Sequence, residues 1–274
     1  MLFHEPEAFL AEVEDIARLG ADRLMKFWRS LEPGQINEKA RNDLVSAADL
    51  ASEQAILGAV QERFPDHRIL SEEAGWSGDA GAGPTWFVDP LDGTTNFIHG
   101  IPQFAISIGV AVGAEIEYGV IFDPCKDDIF SAARGRGARW NGRPCSVSDR
   151  TGLAGALLAT GFPFKAHRLL DPYLAIFRDV FLRCKAVRRP GAAALDLAYT
   201  ACGIFDGFFE FQLSAWDIAA GALIVEEAGG VISDMDGQGN YLGSGNVVCG
   251  SPGVHRELLE VVQSHGDEWR EKTG

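Results

Sequence analysis

Basic residues are scarce in this chain. Lys and Arg number 24 against 39 Asp and Glu in 274 residues, a formal charge of −15. No cationic surplus exists to displace counterions from a nucleic-acid backbone, which argues against nucleic acid as a general partner. A small anionic substrate can still bind where metal ions offset the local negative charge. Cysteine is sparse too: Cys125, Cys145, Cys184, Cys202 and Cys249 are odd in number and widely spaced, with no C-x-x-C pair. That excludes a disulfide framework and a zinc site, and the thiols are expected to be small, unreactive core residues. No stretch approaches the roughly 20 apolar residues that span a bilayer. Met1-Leu2-Phe3-His4-Glu5-Pro6-Glu7 lacks the basic start and apolar run of a signal peptide, so a cytosolic protein with no membrane partner is expected. Repeats, linkers and low-complexity segments are missing as well. What is present is apolar material, 46% of the chain, enough for one large domain or two intimately packed ones.

Phe9, Val13, Ile16, Ala17, Leu24, Phe27, Trp28 and Leu31 recur at three- and four-residue steps and predict a helix over Glu7–Leu31. A second helix is expected from Ser46 or Ala47 to Arg63, stopped by Pro65. Arg68–Ser71 and Thr85–Val88 read as strands, and Ala105–Val112, Glu115–Phe122 and Asp128–Ala132 as an antiparallel meander. Beyond a boundary near Asp149 the pattern changes. Strands at Ala156–Ala159, Phe208–Phe211, Val231–Ser233 and Val247–Cys249 alternate with helices near Leu170–Arg183, Ala192–Ala201, Trp216–Ala228 and Pro252–Ser264. The expected organisation is an α+β domain over residues 1–148 and an α/β domain over 149–274.

Chemistry concentrates in Asp89-Pro90-Leu91-Asp92-Gly93-Thr94-Thr95-Asn96-Phe97, directly after the strand Thr85–Val88. Pro90 fixes one φ and Gly93 permits another, so a tight turn can hold Asp89 and Asp92 towards one point while the N–H groups of Gly93 and Thr94 face outwards. Carboxylate and carbonyl oxygens suit a hard cation such as Mg²⁺, and turn amides near a helix start suit an anion. The turn therefore points to metal-assisted phosphate chemistry. Three further acidic segments accompany it: Asp43–Asp49, the pair Glu72-Glu73 at a strand end, and Asp217 at a helix start. Singly, each has a structural reading. Ser46-x-x-Asp49 matches a capping box, Asp217 a helix N-terminal charge, and Glu72-Glu73 a solvated loop.

In order along the chain, these segments resemble the signature set of the inositol monophosphatase family. Trp86 through Phe97 resembles one signature at full length, and Trp216-Asp217-Ile218-Ala219-Ala220-Gly221 through Glu227-Ala228-Gly229-Gly230 another. Gly161-Phe162-Pro163-Phe164, Arg188-Arg189-Pro190-Gly191 and Asp206–Glu210 resemble bacterial members. The resemblance implies the layered αβαβα sandwich of the sugar phosphatases, of mixed α+β and α/β character. It also implies two Mg²⁺ ions, one held by Glu72, Asp89 and the Leu91 carbonyl and the other by Asp89, Asp92 and Asp217. Glu72 and Thr94 would orient and deprotonate the attacking water, and Asp49 would assist a third, weaker Mg²⁺. The amides of Gly93 and Thr94 would grip the phosphate. Gly191, Ala192, Ala193 and Glu210 would face the alcohol, with Glu210 accepting from ring hydroxyls.

The chain departs from the family pattern in places. Ala192 stands where many relatives carry Ser or Thr, Ser46 replaces a common Thr, and Lys39 lies one residue closer to Asp43 than the family spacing. Asp43 and Glu73 are outer candidates around the metals. His99 is expected to pack or hydrogen-bond rather than ligate a hard ion, and Arg188 and Arg189 to brace a subunit interface or a loop. The resemblance implies a homodimer, inhibition by Li⁺ and a small phosphate monoester as substrate, inositol 1-phosphate first. Histidinol phosphate, fructose 1,6-bisphosphate, adenosine 3′,5′-bisphosphate and NADP are the alternatives. A regulatory binding protein with incidental catalysis is the competing class. Against it stands the cost of retaining so many converging carboxylates.

Overall fold

The computed structural model describes residues 5–40, 43–78, 83–266 and 269–270. Along the first half run α1 (Pro6–Leu24), β1 (Ile36–Ala40), β2 (Asp43–Ser46), α2 (Ala47–Arg63), β3 (Arg68–Ser71), β4 (Gly75–Ser77), β5 (Thr85–Asp92) and α3 (Thr94–Ile98). They are followed by β6 (Ala105–Val112), β7 (Glu115–Asp123), β8 (Asp128–Ala133), β9 (Ala138–Trp140) and β10 (Arg143–Pro144). The second half holds β11 (Leu157–Thr160), α4 (Leu170–Arg183), β12 (Ala186–Arg188), α5 (Ala193–Ala201), β13 (Gly207–Glu210) and α6 (Ala215–Glu227). It ends with β14 (Val231–Ser233), α7 (Tyr241–Ser244), β15 (Val247–Gly250) and α8 (Pro252–Ser264).

Besides a small antiparallel hairpin of β1 and β2, two large sheets and three helical layers stack in the order expected of an αβαβα sandwich. An eight-stranded sheet runs β10-β9-β8-β7-β6-β5-β3-β4 and a five-stranded sheet β12-β11-β13-β15-β14. Helices α1 and α2 cover the outer face of the first sheet through Phe9, Val13, Ile16, Ile56 and Val60 against Trp86, Ile108 and Val120. Helices α5 and α6 fill the space between the sheets, bringing Leu195, Leu197, Ile218 and Leu223 together with Ile121, Phe130 and Phe208. Helices α4 and α8 close the outer face of the second sheet over Tyr173, Ile176, Phe209, Val248 and Leu258. The inner core is common to both halves, and residues 148 and 149 fall in the irregular segment between β10 and β11.

The structure revises several expectations. α1 stops at Leu24 and gives way to a 3₁₀ turn at Met25–Phe27. The helical spacing continued to Leu31 because Phe27, Trp28 and Leu31 are apolar, yet they serve a different core: Trp28 packs on Phe97 at 5.2 Å and Phe104 at 4.7 Å, beneath α3. The first sheet is not purely antiparallel, since β3 and β5 run parallel. In the second sheet β11 is parallel to both neighbours, while β13, β15 and β14 pair antiparallel. Of the thiols only Cys249 is buried; the other four are partly exposed, and Cys202 Sγ donates to Cys145 Sγ at 2.9 Å. No helix among the described residues is long and apolar enough to cross a membrane.

Candidate active site

Strand β5 carries the two aspartates by a device the sequence reading had as a tight turn. The strand runs on to Asp92, and its register with β6 slips at Pro90-Leu91: Asp89 faces Ser107 while Asp92 faces Ala105. The extra residue is a β-bulge. In a regular strand, residues three apart point to opposite faces; the bulge cancels that inversion and turns both carboxylates to one side. The reversal itself comes at Gly93, with φ of 93°. A Cβ there would stand 3.0 Å from the Gln103 carbonyl, so both the dihedral and the space require glycine.

Three other elements deliver acids to the same place. Strand β3, parallel to β5, ends at Ser71 opposite Val88, and the Glu72 N–H donates to the Val88 carbonyl at 3.1 Å. That sets Glu72 beside Asp89, at the carboxyl ends of neighbouring parallel strands where open sheets bind ligands. Helix α6 starts beside them because Ser107, the register partner of Asp89, donates its hydroxyl to the Trp216 carbonyl at 3.1 Å. Asp217 follows at the third helical position, and one of its oxygens accepts from the Ser214 N–H at 2.7 Å. Helix α5 begins at Ala193 after Ala192, whose methyl cannot cap it. The Asp92 carboxylate takes over, accepting from the Ala194 N–H at 2.7 Å, which satisfies a first-turn donor that has no helical partner.

Glu72, Asp89, Leu91, Asp92, Gly93, Thr94, Gly191, Ala192, Ala193, Glu210 and Asp217 all line one cavity of about 520 Å³. Burial pushes the Asp89 carboxyl well above its ordinary range, and the charges of Glu72, Asp92 and Asp217 push it further. Asp92 is pushed up to about 7 by burial and by Asp217, against the pull of the α5 amides. Glu210 rises to about 8 through burial, with Arg189 opposing and Asp217 and Asp92 adding to the shift. These acids feel one another across a shared space.

Asp49 stands behind the cavity rather than on its wall. It is fully buried; Oδ2 accepts from the Ser46 N–H at 2.9 Å and hydroxyl at 2.6 Å, and Oδ1 from the Thr94 hydroxyl at 2.9 Å. The capping box is therefore real, and it also fixes Thr94, whose hydroxyl lies 3.1 Å from the Leu91 carbonyl. The side chains of Lys39 and Asp43 lie outside the described residues. Glu73 is partly buried, its N–H turned to Glu53. His99 is exposed rather than packed.

Gly161 and Asn96 were not singled out as site residues from the sequence, and Arg189 was expected to brace an interface or a loop. Gly161 lies against Glu210 so closely that a Cβ would overlap the carboxylate. Arg189 lines the cavity, its guanidinium 4.8 Å from the Phe164 ring, and like Arg188 it is exposed. Asn96 ties the two sides together by donating to the carbonyls of Gln103, Pro190 and Gly191 at 2.7, 2.9 and 3.2 Å. The Gly-Phe-Pro-Phe and Arg-Arg-Pro-Gly motifs held the only sequence signal for Gly161 and Arg189.

A hard divalent ion fits the chemistry of this donor set: carboxylates and a main-chain carbonyl, mutually repelling, with no sulfur or imidazole among them. Among the described residues no three acidic, histidine or cysteine side chains are already gathered closely enough to hold an ion as they stand. An arriving cation would displace protons and draw the carboxylates inwards.

Comparison with known proteins identifies the family and the fold. The family model described as "Inositol monophosphatase family" matches residues 6–267. "Nus factor SuhB" of Pseudomonas aeruginosa is 45% identical over 253 residues, 91% of this chain and 93% of that protein. Among solved structures, the extragenic suppressor protein suhB of Bartonella henselae aligns with a TM-score of 0.90 at 37% identity, covering 93% of this chain and 98% of that one. The inositol monophosphatase of Anabaena (Nostoc) aligns with a TM-score of 0.84 at 36% identity, covering 94% and 96%.

Proposed function

Because this chain belongs to the inositol monophosphatase family, we propose that it is a Mg²⁺-dependent phosphomonoesterase acting on a polyol phosphate, inositol 1-phosphate first. The observation that carries the reading is the convergence of Glu72, Asp89, Asp92 and Asp217 on one cavity with Glu210 and Thr94. Glu72, Asp89 and the Leu91 carbonyl would hold one ion, and Asp89, Asp92 and Asp217 the second. Such ions, when bound, supply an acidified water and a clamp on the attacking and leaving oxygens of an in-line displacement.

The chain's own groups supply the rest. Thr94 is held by Asp49 and the Leu91 carbonyl, so its oxygen presents a lone pair in one direction and orients the water, with Glu72 taking the proton. The amides of Gly93 and Thr94 open α3 and, as first-turn donors, have no helical acceptor; the phosphate oxygens fill that role. Glu210 accepts hydrogen bonds from hydroxyls of the alcohol, and Gly161 leaves room for its carboxylate. A cytosolic homodimer completes the reading.

Asp89→Asn tests it. The variant keeps the fold and loses at least the roughly 10²-fold in kcat/KM that removal of one transition-state electrostatic contact costs; hydrolysis insensitive to EDTA would contradict metal dependence. Comparing kcat/KM across inositol 1-phosphate, histidinol phosphate, fructose 1,6-bisphosphate, adenosine 3′,5′-bisphosphate and NADP ranks the substrates. A preference above about tenfold for any other ester would replace inositol phosphate. A second reading, a regulatory binding protein with incidental catalysis, is favoured by one observation: the relative in Pseudomonas aeruginosa is named a factor rather than an enzyme. Cellular function that survives Asp89→Asn unchanged would establish it.

A further inference from the structure

Helix α2 turns an unusual face inwards. Asp49 and, one helical turn on, Ser52 and Glu53 are all buried on it, where an amphipathic helix would place apolar side chains. Each reaches a different piece of the site: the start of α3, the bulge of β5 and the segment after β3. Asp49 holds the Thr94 hydroxyl, and the Ser52 hydroxyl donates to the Pro90 carbonyl at 2.9 Å, inside the β5 bulge. Glu53 Oε1 accepts from three donors of the segment after β3: the Ser71 hydroxyl in a short bond, the Glu73 N–H at 3.1 Å and the Ala74 N–H at 3.0 Å.

These three donors bracket Glu72. Residues 71, 73 and 74 are tied to one buried oxygen, and Glu72 itself is tied through its N–H to the Val88 carbonyl. The peptide units on both sides of Glu72 are thereby immobilised against α2. Glu53 is only 5% exposed, and no ion pair reaches it among the described residues. A buried carboxylate without a cation is costly to keep. The main-chain donors that offset this cost belong to the very loop that carries a candidate metal ligand.

We propose that Glu53 is a positioning residue for the metal site: it fixes the Ser71–Ala74 segment on α2 and so aims the Glu72 carboxylate at Asp89. The inference rests on the reading of Glu72 as a metal ligand given above. Glu53 touches neither substrate nor ion; it acts through Glu72. An aspartate at this position is one methylene too short to reach all three donors, whereas a glutamine retains the accepting oxygen.

The test is Mn²⁺ binding by electron paramagnetic resonance and calorimetry, alongside steady-state kinetics with Mg²⁺, on the full chain. Glu53→Ala and Glu53→Asp are expected to weaken Mn²⁺ binding by about 10–100-fold, the range for residues that orient metal ligands. They should raise the Mg²⁺ concentration for half-maximal activity in proportion and lower kcat with KM for the phosphate ester changed less than about threefold. Glu53→Gln should restore both within about threefold. A folded Glu53→Asp that binds Mn²⁺ as the unaltered protein does would overturn the proposal, as would a loss of thermal stability with metal affinity and kcat intact. Should Glu53→Ala fail to fold, Glu53→Asp and Glu53→Gln decide the matter alone. An unaltered protein that binds Mn²⁺ yet hydrolyses no phosphate ester would sink the phosphatase reading and leave the Glu53 proposal standing on the binding data. One that binds no Mn²⁺ would sink both.

Discussion

At Asp217 a helix cap and a cavity wall are one carboxylate, and at Asp49 a helix cap holds the wall residue Thr94 from behind. Each sits at the third helical position, where a capping box turns the side chain back over the helix start. The sequence offered capping and site as rival readings; the geometry makes the first the means of the second. Glu210 shows the converse case, a carboxyl that caps no helix and whose surroundings in the cavity include Gly161 against it and Arg189. Glu210→Ala is expected to lower kcat/KM on a polyol phosphate by about 10–100-fold, the cost of leaving buried hydroxyl donors without an acceptor, and to leave p-nitrophenyl phosphate nearly unaffected. Equal losses on both substrates would remove Glu210 from the alcohol subsite.

At the scale of elements, the central layer depends on close approach. Helix α6 lies on β6 and β7 at two glycines: a Cβ on Gly109 would stand 2.7 Å from the Ala219 Cβ, and one on Gly119 would stand 2.6 Å from the Ala220 carbonyl oxygen. Backbone cannot yield as a flexible side chain can. Gly119→Ala should therefore lift α6 from the sheet, costing about 1–3 kcal/mol in urea unfolding, and displace Asp217 at the start of the same helix. Activity should fall by more than the unfolded fraction accounts for. A variant with lowered stability but unchanged kcat would show that the α6 start is positioned independently of the sheet. The longer strands and α2, α4, α5, α6 and α8 were legible because they carry alternating or 3.6-residue apolar patterns. The β1–β2 hairpin, β4, β9, β10, β12, α7 and the 3₁₀ break after α1 were not, since short or polar elements lack enough repeats to register.

At the scale of the whole molecule, the cavity holds carboxyls that burial makes hard to ionise. Asp92 and Glu210 have folded values of about 7 and about 8, against about 4 in an unfolded chain. The folded state therefore binds more protons than the unfolded state between those values, and the free energy of unfolding falls as pH rises through that window. The stabilising contribution is fully present below about pH 4 and lost by about pH 8. Thermal melts in EDTA should show the melting temperature declining from pH 5.5 to 8 over this window, with Glu210→Gln flattening the slope. Mg²⁺ should raise it most at the alkaline end, where ion and proton no longer compete. A slope that is flat or rises in EDTA would contradict the burial of these carboxyls.

The linear order of residues determined the fold class, the family and the acids that meet in the cavity. Those properties are written in local patterns: apolar periodicity, a glycine that must take a positive φ, and carboxylates beside strand ends and helix starts. Tertiary structure alone decided the rest. The bulge that turns Asp89 and Asp92 to one side depends on pairing with β6, and the cap that Ala192 lacks is supplied by Asp92 from 100 residues away in the chain. Glu53 reads as an ordinary polar residue on a helix until β3 is packed against it. Hydrogen bonds to a carboxylate have a reach of about 3 Å in space and no reach in sequence, so the groups that aim the site become visible only once the chain has closed on itself.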